Sequence, residues 1–365
     1  MARIGRLVVT ERSWYFRRAG PQGLWSTMKK VIVTGGAGFI GSHTVVELVA
    51  AGYEPIIVDD LRNSEERILH GIAAITGQVP RLHRVDCNNA EAFDRVLAQE
   101  GPIHGVIHFA AYKAVGESVA NPLMYYHNNI GSLTVLLQLM ERHGVKKLVF
   151  SSSCTVYGQP EQLPVTESSP DRNANSPYGY TKVVCEQLLR DQSHADPGLR
   201  GIILRYFNPI GAHPSGHIGE LPLGVPNNLV PFVTQTAAGM RKQLTVHGAD
   251  YATRDGSCVR DYIHVVDLAR AHVMALARLD GAMAAPLETF NLGTGDGNTV
   301  LEVVKGFMEV TGVELPYTIG PRRPGDVESV YADTTRSREV LGWTCAYGLK
   351  DALRDAWNWQ QRLGA

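Results

Sequence analysis

No stretch of this sequence approaches the ~18 consecutive apolar residues that a membrane-spanning helix requires, which argues against a helical membrane protein. Charge of one sign is not in excess either. Lys plus Arg number 35 and Asp plus Glu 36, a formal charge of −1 with the histidines neutral. A chain held to nucleic acid or to an anionic bilayer by bulk charge would not be so balanced. Cysteine is scarce: Cys87, Cys154, Cys185, Cys258 and Cys345 are odd in number, widely spaced and without a C-x-x-C pair. That argues against a disulfide framework and a zinc site, and reads as free thiols in a reducing cytoplasm with no metal. Internal repeats and low-complexity tracts are absent. What is there is 44 % apolar and 19 % charged, a globular composition, in 365 residues, enough for about two domains.

Acids are nearly missing from residues 1–27, where Glu11 stands alone against Arg3, Arg6, Arg12, Arg17 and Arg18. Such a leader reads either as an organellar targeting segment or as an upstream extension with Met28 the working start. It has no apolar core of a secretory signal. The second reading is preferred, so residues 1–28 are expected to stand outside the fold and residues 1–27 to be dispensable.

From Lys29 onward strand and helix alternate. Strands are expected at Val31–Thr34, Pro55–Asp59, Arg81–Val85, Gly105–Phe109, Lys147–Ser151 and Gly201–Tyr206. Helices are expected from Ile40, and at Glu65–Ile75, Ala90–Gln99, Pro122–His143 and Pro177–Asp191. Strands alternating with helices of ten or more residues are βαβ units on a parallel sheet. After Tyr206 the pattern changes: Asn208–Val225 is rich in glycine and proline, which is loop chemistry. A helix at Asn228–Met240, a loop at Gly248–Gly256, a helix at Asp267–Leu279 and a strand at Thr289–Leu292 follow. The expected architecture is α/β: a doubly wound parallel sheet over residues 29–207, rejoined by 262–295, with a smaller C-terminal α/β domain from 208–261 and 296–365.

Chemistry enters with Thr34-Gly35-Gly36-Ala37-Gly38-Phe39-Ile40-Gly41, a G-x-G-x-x-G at Gly36, Gly38 and Gly41. Glycine clusters also close ordinary turns. This one follows a strand, opens a helix, and is followed 18 residues later by Asp59 at the end of the next strand. That is the context of a Rossmann-type dinucleotide fingerprint, with the phosphates at the helix N-terminus and the acid on the adenosine ribose. Asp59-Asp60 would repel a 2′-phosphate, so NAD is favoured over NADP. The second signal is Tyr178-Gly-Tyr-Thr-Lys182. Residues four apart share a helix face, and a nearby cation favours a phenolate, so the pair can act as a base toward a sugar hydroxyl. Alone, Y-x-x-x-K is commonly a solvated helix face; downstream of a dinucleotide loop and of Ser151-Ser152-Ser153 it reads as catalytic.

TGGAGFIG, YGYTK and the Ser153 strand end together resemble the extended short-chain dehydrogenase/reductases. Longer blocks are similar to the UDP-glucose 4-epimerase family: HFAAYKAVGESV (108–119), SSSCTVYG (151–158), LRYFNPIGAHPSG (204–216), PNNLVP (226–231), GSCVRDYIHVVDLA (256–269) and RRPGDV (322–327). The likeness runs from about Lys29 to the C-terminus. It implies Tyr178 as base, Lys182 as the lysine that contacts the nicotinamide ribose and lowers the tyrosine pKa, and Ser153 as the hydrogen-bonding partner of the sugar O4. It implies cofactor contacts from Gly35, Gly38, Phe39, Ile40 and Gly41, from Asp59 and Asn63 at the adenosine ribose, and from Asp86 and Cys87 at the adenine. Phe109, Ala110 and Lys113 would border the phosphates and ribose, with Asn128 and Tyr206 beside them. For a UDP-hexose it implies Asn208 and Asn228-Leu229 near the diphosphate and uridine, Arg260 and Arg323 as cations for the diphosphate, and Asp326 near the uridine ribose. Two arginines on a dianionic diphosphate make a suitable fork.

The implied reaction is C4 epimerisation of UDP-glucose and UDP-galactose through a 4-keto sugar, with NAD reduced and regenerated in each turnover. Departures from the family are Cys154 for alanine, Tyr112 for an aliphatic residue, Cys258 for glycine, and His247 where an aromatic commonly stacks near uracil. A 4,6-dehydratase would carry Asp-Glu after the active-site serine or threonine; here Cys154-Thr155 follow Ser153. A non-catalytic NAD-sensing relative would have lost the tyrosine. The resemblance further implies a homodimer through the helices Pro122–His143 and Pro177–Asp191. It also places Val330 at the wall of the hexose pocket, where a small residue leaves room for a 2-acetamido group and so for UDP-GlcNAc and UDP-GalNAc.

Overall fold

Val31-Ile32-Val33 is apolar at every position, and a strand sends neighbouring side chains to opposite faces, so it must be covered on both sides. Val31 and Val33 enter one hydrophobic cluster and Ile32 another, all fully buried. The computed structural model describes residues 28–171, 174–323 and 326–364. The leader at residues 1–27, with the two readings given to it, lies outside the described residues. In chain order the first half runs β1 (Lys29–Thr34), α1 (Phe39–Ala50), β2 (Tyr53–Val58), α2 (Arg67–Thr76), β3 (Arg81–His83), α3 (Ala90–Glu100), β4 (Ile103–His108), α4 (Val115–Ala120), α5 (Pro122–Arg142), β5 (Lys147–Ser151), α6 (Pro177–Ala195) and β6 (Arg200–Tyr206). The second half runs β7 (Asn208–Ile210), α7 (Leu229–Ala237), β8 (Leu244–His247), β9 (Val259–His264), α8 (Val265–Arg278), β10 (Leu287–Leu292), β11 (Gly297–Thr299), α9 (Val300–Thr311), β12 (Tyr317–Gly320), β13 (Ser329–Val330) and α10 (Leu349–Leu363).

Seven strands form one sheet in the order β3-β2-β1-β4-β5-β6-β10, and every pairing in it is parallel. Helices α1, α2 and α8 supply the cluster on one face, with α1 packed on α8; α3, α5 and α6 supply the other, with α5 along α6. The chain walks outward from β1 to β3, then returns to place β4 on the far side of β1. That reversal leaves a crevice beyond the carboxyl ends of β1 and β4, where doubly wound sheets bind ligands.

β9 is the centre of a smaller sheet, pairing with β7, β11 and β13, while β8 and β12 form a separate two-stranded parallel ribbon. Val230, Val233, Val303, Phe307 and Leu353 of α7, α9 and α10 pack into the core between them. Between these pieces α8 and β10 return to the large sheet, β10 lying beside β6. The expected loop from Asn208 begins instead with β7, three residues whose pairing partner, Tyr262–His264, lies some fifty residues away in sequence and leaves no local signal. Among the described residues no helix is long and apolar enough to cross a membrane, and no cluster of His, Cys, Asp or Glu is placed to hold a metal. All five cysteines are free.

Candidate active site

The glycine loop is as tight as its composition suggests. Gly35 adopts φ +69°, a region where a side chain is strained. A Cβ at Gly41 would sit 2.2 Å from the Gly35 carbonyl oxygen, so loop and helix approach more closely than any side chain permits. No side chain caps α1 and no acid lies in its first turn, which leaves its N-terminal amides and positive end for an anion. At the tip of β2 the Asp59 carboxylate accepts hydrogen bonds from the Ala37 amide (3.0 Å), the Leu61 amide (2.9 Å) and the Ser64 hydroxyl (3.0 Å). Burial pushes its pKa up, and those bonds oppose the rise. Loop and acid face one cleft of about 510 Å³. Every residue expected at the cofactor lines it, from the glycine loop through Asp59, Asn63, Asp86 and Cys87 to Tyr178, Lys182 and Tyr206. A cradle without side chains, free helix amides and an acid one strand away together fit a dinucleotide.

α6 begins where Ser176 accepts a hydrogen bond from the Gly179 amide (3.1 Å) and Pro177 takes the first helical position. Tyr178 therefore lies in the first turn and Lys182 one turn on, both buried in the wall of the cleft. Tyr178 has Ser153 beside it, which tempers the rise in its pKa, and the Ser153 Oγ accepts from the Thr155 amide (3.2 Å). Lys182 Nζ donates to the Ser151 carbonyl (2.8 Å) and lies 4.9 Å from the centre of the Phe150 ring. An ammonium has three donors, so two are left over. Burial lowers the Lys182 pKa to about 8, against the opposing pull of Cys185 and Glu186. Burial raises Tyr178 above an ordinary phenol, Ser153 opposes this in part, and Lys182 is engaged with the Ser151 carbonyl.

Behind these residues lies a buried ionic network. Arg205 donates from Nε and Nη2 to the two oxygens of Glu186 (2.9 and 2.6 Å) and from Nη1 to the Tyr157 hydroxyl (3.0 Å). Ser152 donates to the same Glu186 (2.6 Å). The neighbours of Ser153, Lys182 and Tyr206 are thus tied together.

A second group gathers on the small sheet. Arg260 of β9 approaches Asp326 (3.7 Å), and Arg323 donates to the same carboxylate oxygen (2.7 Å). Val330 is in register with Arg260 and is buried beside Val156, Tyr157 and Phe207. Asn208 donates to the Asp261 carbonyl (3.3 Å). Ser153, Asn208, Leu229, Arg260, Arg323, Asp326 and Val330 do not line the cofactor cleft, whereas Asn228 does. Leu229 packs toward the C-terminal core. Cys154 is electrostatically coupled to both Arg260 and Tyr178, and burial pushes its thiol up to about 12, which leaves it protonated and inert. Three cleft residues were not expected. Glu220 receives Lys113 (3.2 Å) and Asn228 (2.6 Å) on one oxygen, joining the two sides of the site, while Arg62 and Tyr112 meet across the end where Asp59 stands. All three sit on irregular segments, where no periodicity marks them.

Residues 31–293 match the NAD dependent epimerase/dehydratase family. The chain is 52 % identical over 330 residues to UDP-glucose 4-epimerase of Bacillus subtilis, covering 90 % of this chain and 96 % of the relative. A crystal structure of UDP-glucose 4-epimerase from Bifidobacterium longum in complex with NAD+ and UDP superposes with a TM-score of 0.88 at 47 % identity, covering 92 % of this chain and 98 % of that one. The Stenotrophomonas maltophila UDP-glucose-4-epimerase with bound NAD and formylated UDP-arabinopyranose gives 0.89 at 46 % identity, covering 92 % and 99 %. With its sheet order, its glycine loop and its Tyr178–Lys182 pair in one cleft, the chain belongs to the NAD dependent epimerase/dehydratase family, in the extended branch of the short-chain dehydrogenase/reductases.

Proposed function

We propose that this chain interconverts UDP-glucose and UDP-galactose by oxidising and re-reducing C4 of the hexose with NAD held in the cleft. The observation that carries the reading is the placement of Tyr178 and Lys182 in the wall of a cleft whose other end is a dinucleotide cradle, with Ser153 beside Tyr178. NAD, when bound, supplies the acceptor and later the donor of the C4 hydride, and a positive charge near Tyr178. Tyr178 takes the proton from O4 as its phenolate, and Ser153, beside Tyr178, hands that proton across. The two unused donors of Lys182 hold the nicotinamide ribose and favour the phenolate. Asp59-Asp60 set the preference for NAD over NADP.

Arg260 and Arg323 hold the diphosphate, with Asp326 at the uridine ribose and Asn208, Asn228 and Leu229 around the nucleotide. With UDP anchored, the ketone can present its opposite face to the cofactor, so a firm grip on UDP and a loose one on the sugar belong together. The cofactor falls to residues 29–207 with 262–295, the UDP-sugar to 208–261 and 296–365. Cys154-Thr155 in place of an acid pair disfavours dehydration. Purified protein incubated with UDP-galactose and no added NAD should yield UDP-glucose by NMR; absence of conversion overturns the reading.

Two finer readings go with it. Val330, packed beside Phe207, leaves the pocket wall without a ring, so UDP-GlcNAc and UDP-GalNAc are substrates as well. Val115, Val119 and Leu123 of α4 and α5 and Tyr180 of α6 are exposed, Leu123 by 80 %, and support a homodimer through these helices in a cytoplasmic enzyme. Light scattering that gives a monomer at micromolar concentration refutes the dimer.

A further inference from the structure

Leu61 is the one non-glycine residue with positive φ (+62°) among the described residues. Such a conformation is strained for a residue with a side chain and persists only where its surroundings impose it. Here they do: Asp59 accepts from the Leu61 amide (2.9 Å) and the Ser64 hydroxyl (3.0 Å), and Asp60 accepts from the Arg62 amide (3.0 Å). The strained turn sends the Arg62 side chain back across the cleft. Its Nε meets Asp60 (2.5 Å), Nη2 meets Asp86, and Nη1 donates to the Tyr112 hydroxyl (2.9 Å) and to Asn128 Oδ1 (3.4 Å). The guanidinium carbon lies 5.8 Å from the centre of the Tyr112 ring. One side chain thereby joins the segments that follow β2, β3 and β4 to helix α5, at the end of the cleft where Asp59, Asn63 and Asp86 stand.

We propose that Arg62, anchored by Tyr112, is a clasp over the adenosine end of the cleft and sets how slowly NAD leaves the protein. The inference rests on the reading of the cleft as the NAD site. Release of a dinucleotide requires the segments around its adenosine to separate, and the ion pairs and hydrogen bonds of Arg62 tie them. Arginine suits the task because its planar fork reaches several acceptors at once, which a lysine cannot do. The charge also offsets Asp60 and Asp86, whose mutual repulsion would otherwise widen this end. The hydroxyl and ring face of Tyr112 give the guanidinium a landing on the far wall. The clasp does not read a 2′-phosphate, since all its nitrogens already have acceptors on this chain.

The test measures exchange of bound NAD for labelled NAD in the purified holoprotein, comparing wild type with Arg62→Ala, Tyr112→Phe and the double variant. Release should quicken roughly tenfold in Arg62→Ala and a few-fold in Tyr112→Phe, and the double variant should match Arg62→Ala, because one interaction has been removed twice. Salt should speed release from wild type and barely alter Arg62→Ala, since the clasp is half exposed and its ion pairs are screened. Equal release rates in all four proteins overturn the clasp. A double variant whose effect is the product of the single ones removes Tyr112 as the anchor. An Arg62→Ala protein that loses NADP binding while holding NAD as before makes Arg62 a phosphate reader instead. A wild type that neither carries nor binds NAD overturns the cleft assignment and the clasp together.

Discussion

Mild acid should unfold this protein through its histidines before its carboxylates. His43, His108 and His272 are 1 %, 2 % and 0 % exposed, and burial lowers their pKa values to about 3, 3 and 4 from a reference of 6.5. The geometry explains the refusal of a second proton. His43 Nδ1 faces the Phe39 carbonyl (2.7 Å) and His272 Nδ1 the Leu268 carbonyl (2.8 Å), so each donates there, and each Nε2 is buried without a partner. Protonation at Nε2 would put a charge in a dry site. Unfolded, the same rings take up protons as pH falls through 6.5; folded, they do not until pH 3–4. The unfolded state therefore binds more protons across that window, and stability present above pH 6.5 is lost as pH falls.

From pH 6.5 to 5.5 each such histidine costs about 1 kcal/mol, or about 3 kcal/mol together, a large part of a typical 5–15 kcal/mol. Buried carboxylates whose pKa values burial raises, Asp59, Asp267 and Glu47, act in the opposite sense. Urea titrations at the two pH values measure the difference. His272→Gln keeps a donor for the Leu268 carbonyl and removes one titrating ring, so the loss should shrink to about 2 kcal/mol. A loss below about 1 kcal/mol in wild type, or an unchanged loss in His272→Gln, refutes the reasoning.

Other outcomes follow from the site and its support. Tyr178→Phe should keep NAD and UDP but lose turnover by about 10²–10⁴-fold, the range for a removed proton-transfer group, and Lys182→Ala should move the pH optimum upward as well as slow the reaction; steady-state rates beside ligand titrations decide. Val330→Tyr should abolish turnover of UDP-GlcNAc while sparing UDP-glucose, a contrast read by coupled assay. Arg205→Met leaves Glu186 and Asp171 with Arg190 as their cation, and should cost about 3–5 kcal/mol of stability, most of it recovered in Arg205→Met/Glu186→Leu, where the paired charges are gone.

The parts of the site legible in the sequence were those whose partners lie close along the chain. Gly36 to Gly41 and Asp59 belong to one βαβ unit, and Tyr178 and Lys182 to one helix face, so spacing alone carried the geometry. Ser153 was legible only through resemblance, because its contact with Tyr178 is made across an irregular stretch of chain. Arg62, Tyr112 and Glu220 converge from separate loops, where no period links a residue to its partner. The large sheet could be read because its strands are apolar on both faces; the small one could not, because β7, β11 and β13 are two or three residues long and exist by pairing with β9. A charge four residues from Tyr178 is visible in sequence, and the burial that pushes its pKa up is not.

The central claim is that one cofactor takes a hydride from C4 and gives it back to the same carbon. UDP-galactose deuterated at C4 and incubated with the purified holoprotein, without added nicotinamide, tests it most directly. The account predicts UDP-glucose that retains its deuterium at C4. Product that has lost the label to solvent, or no product at all, would contradict it.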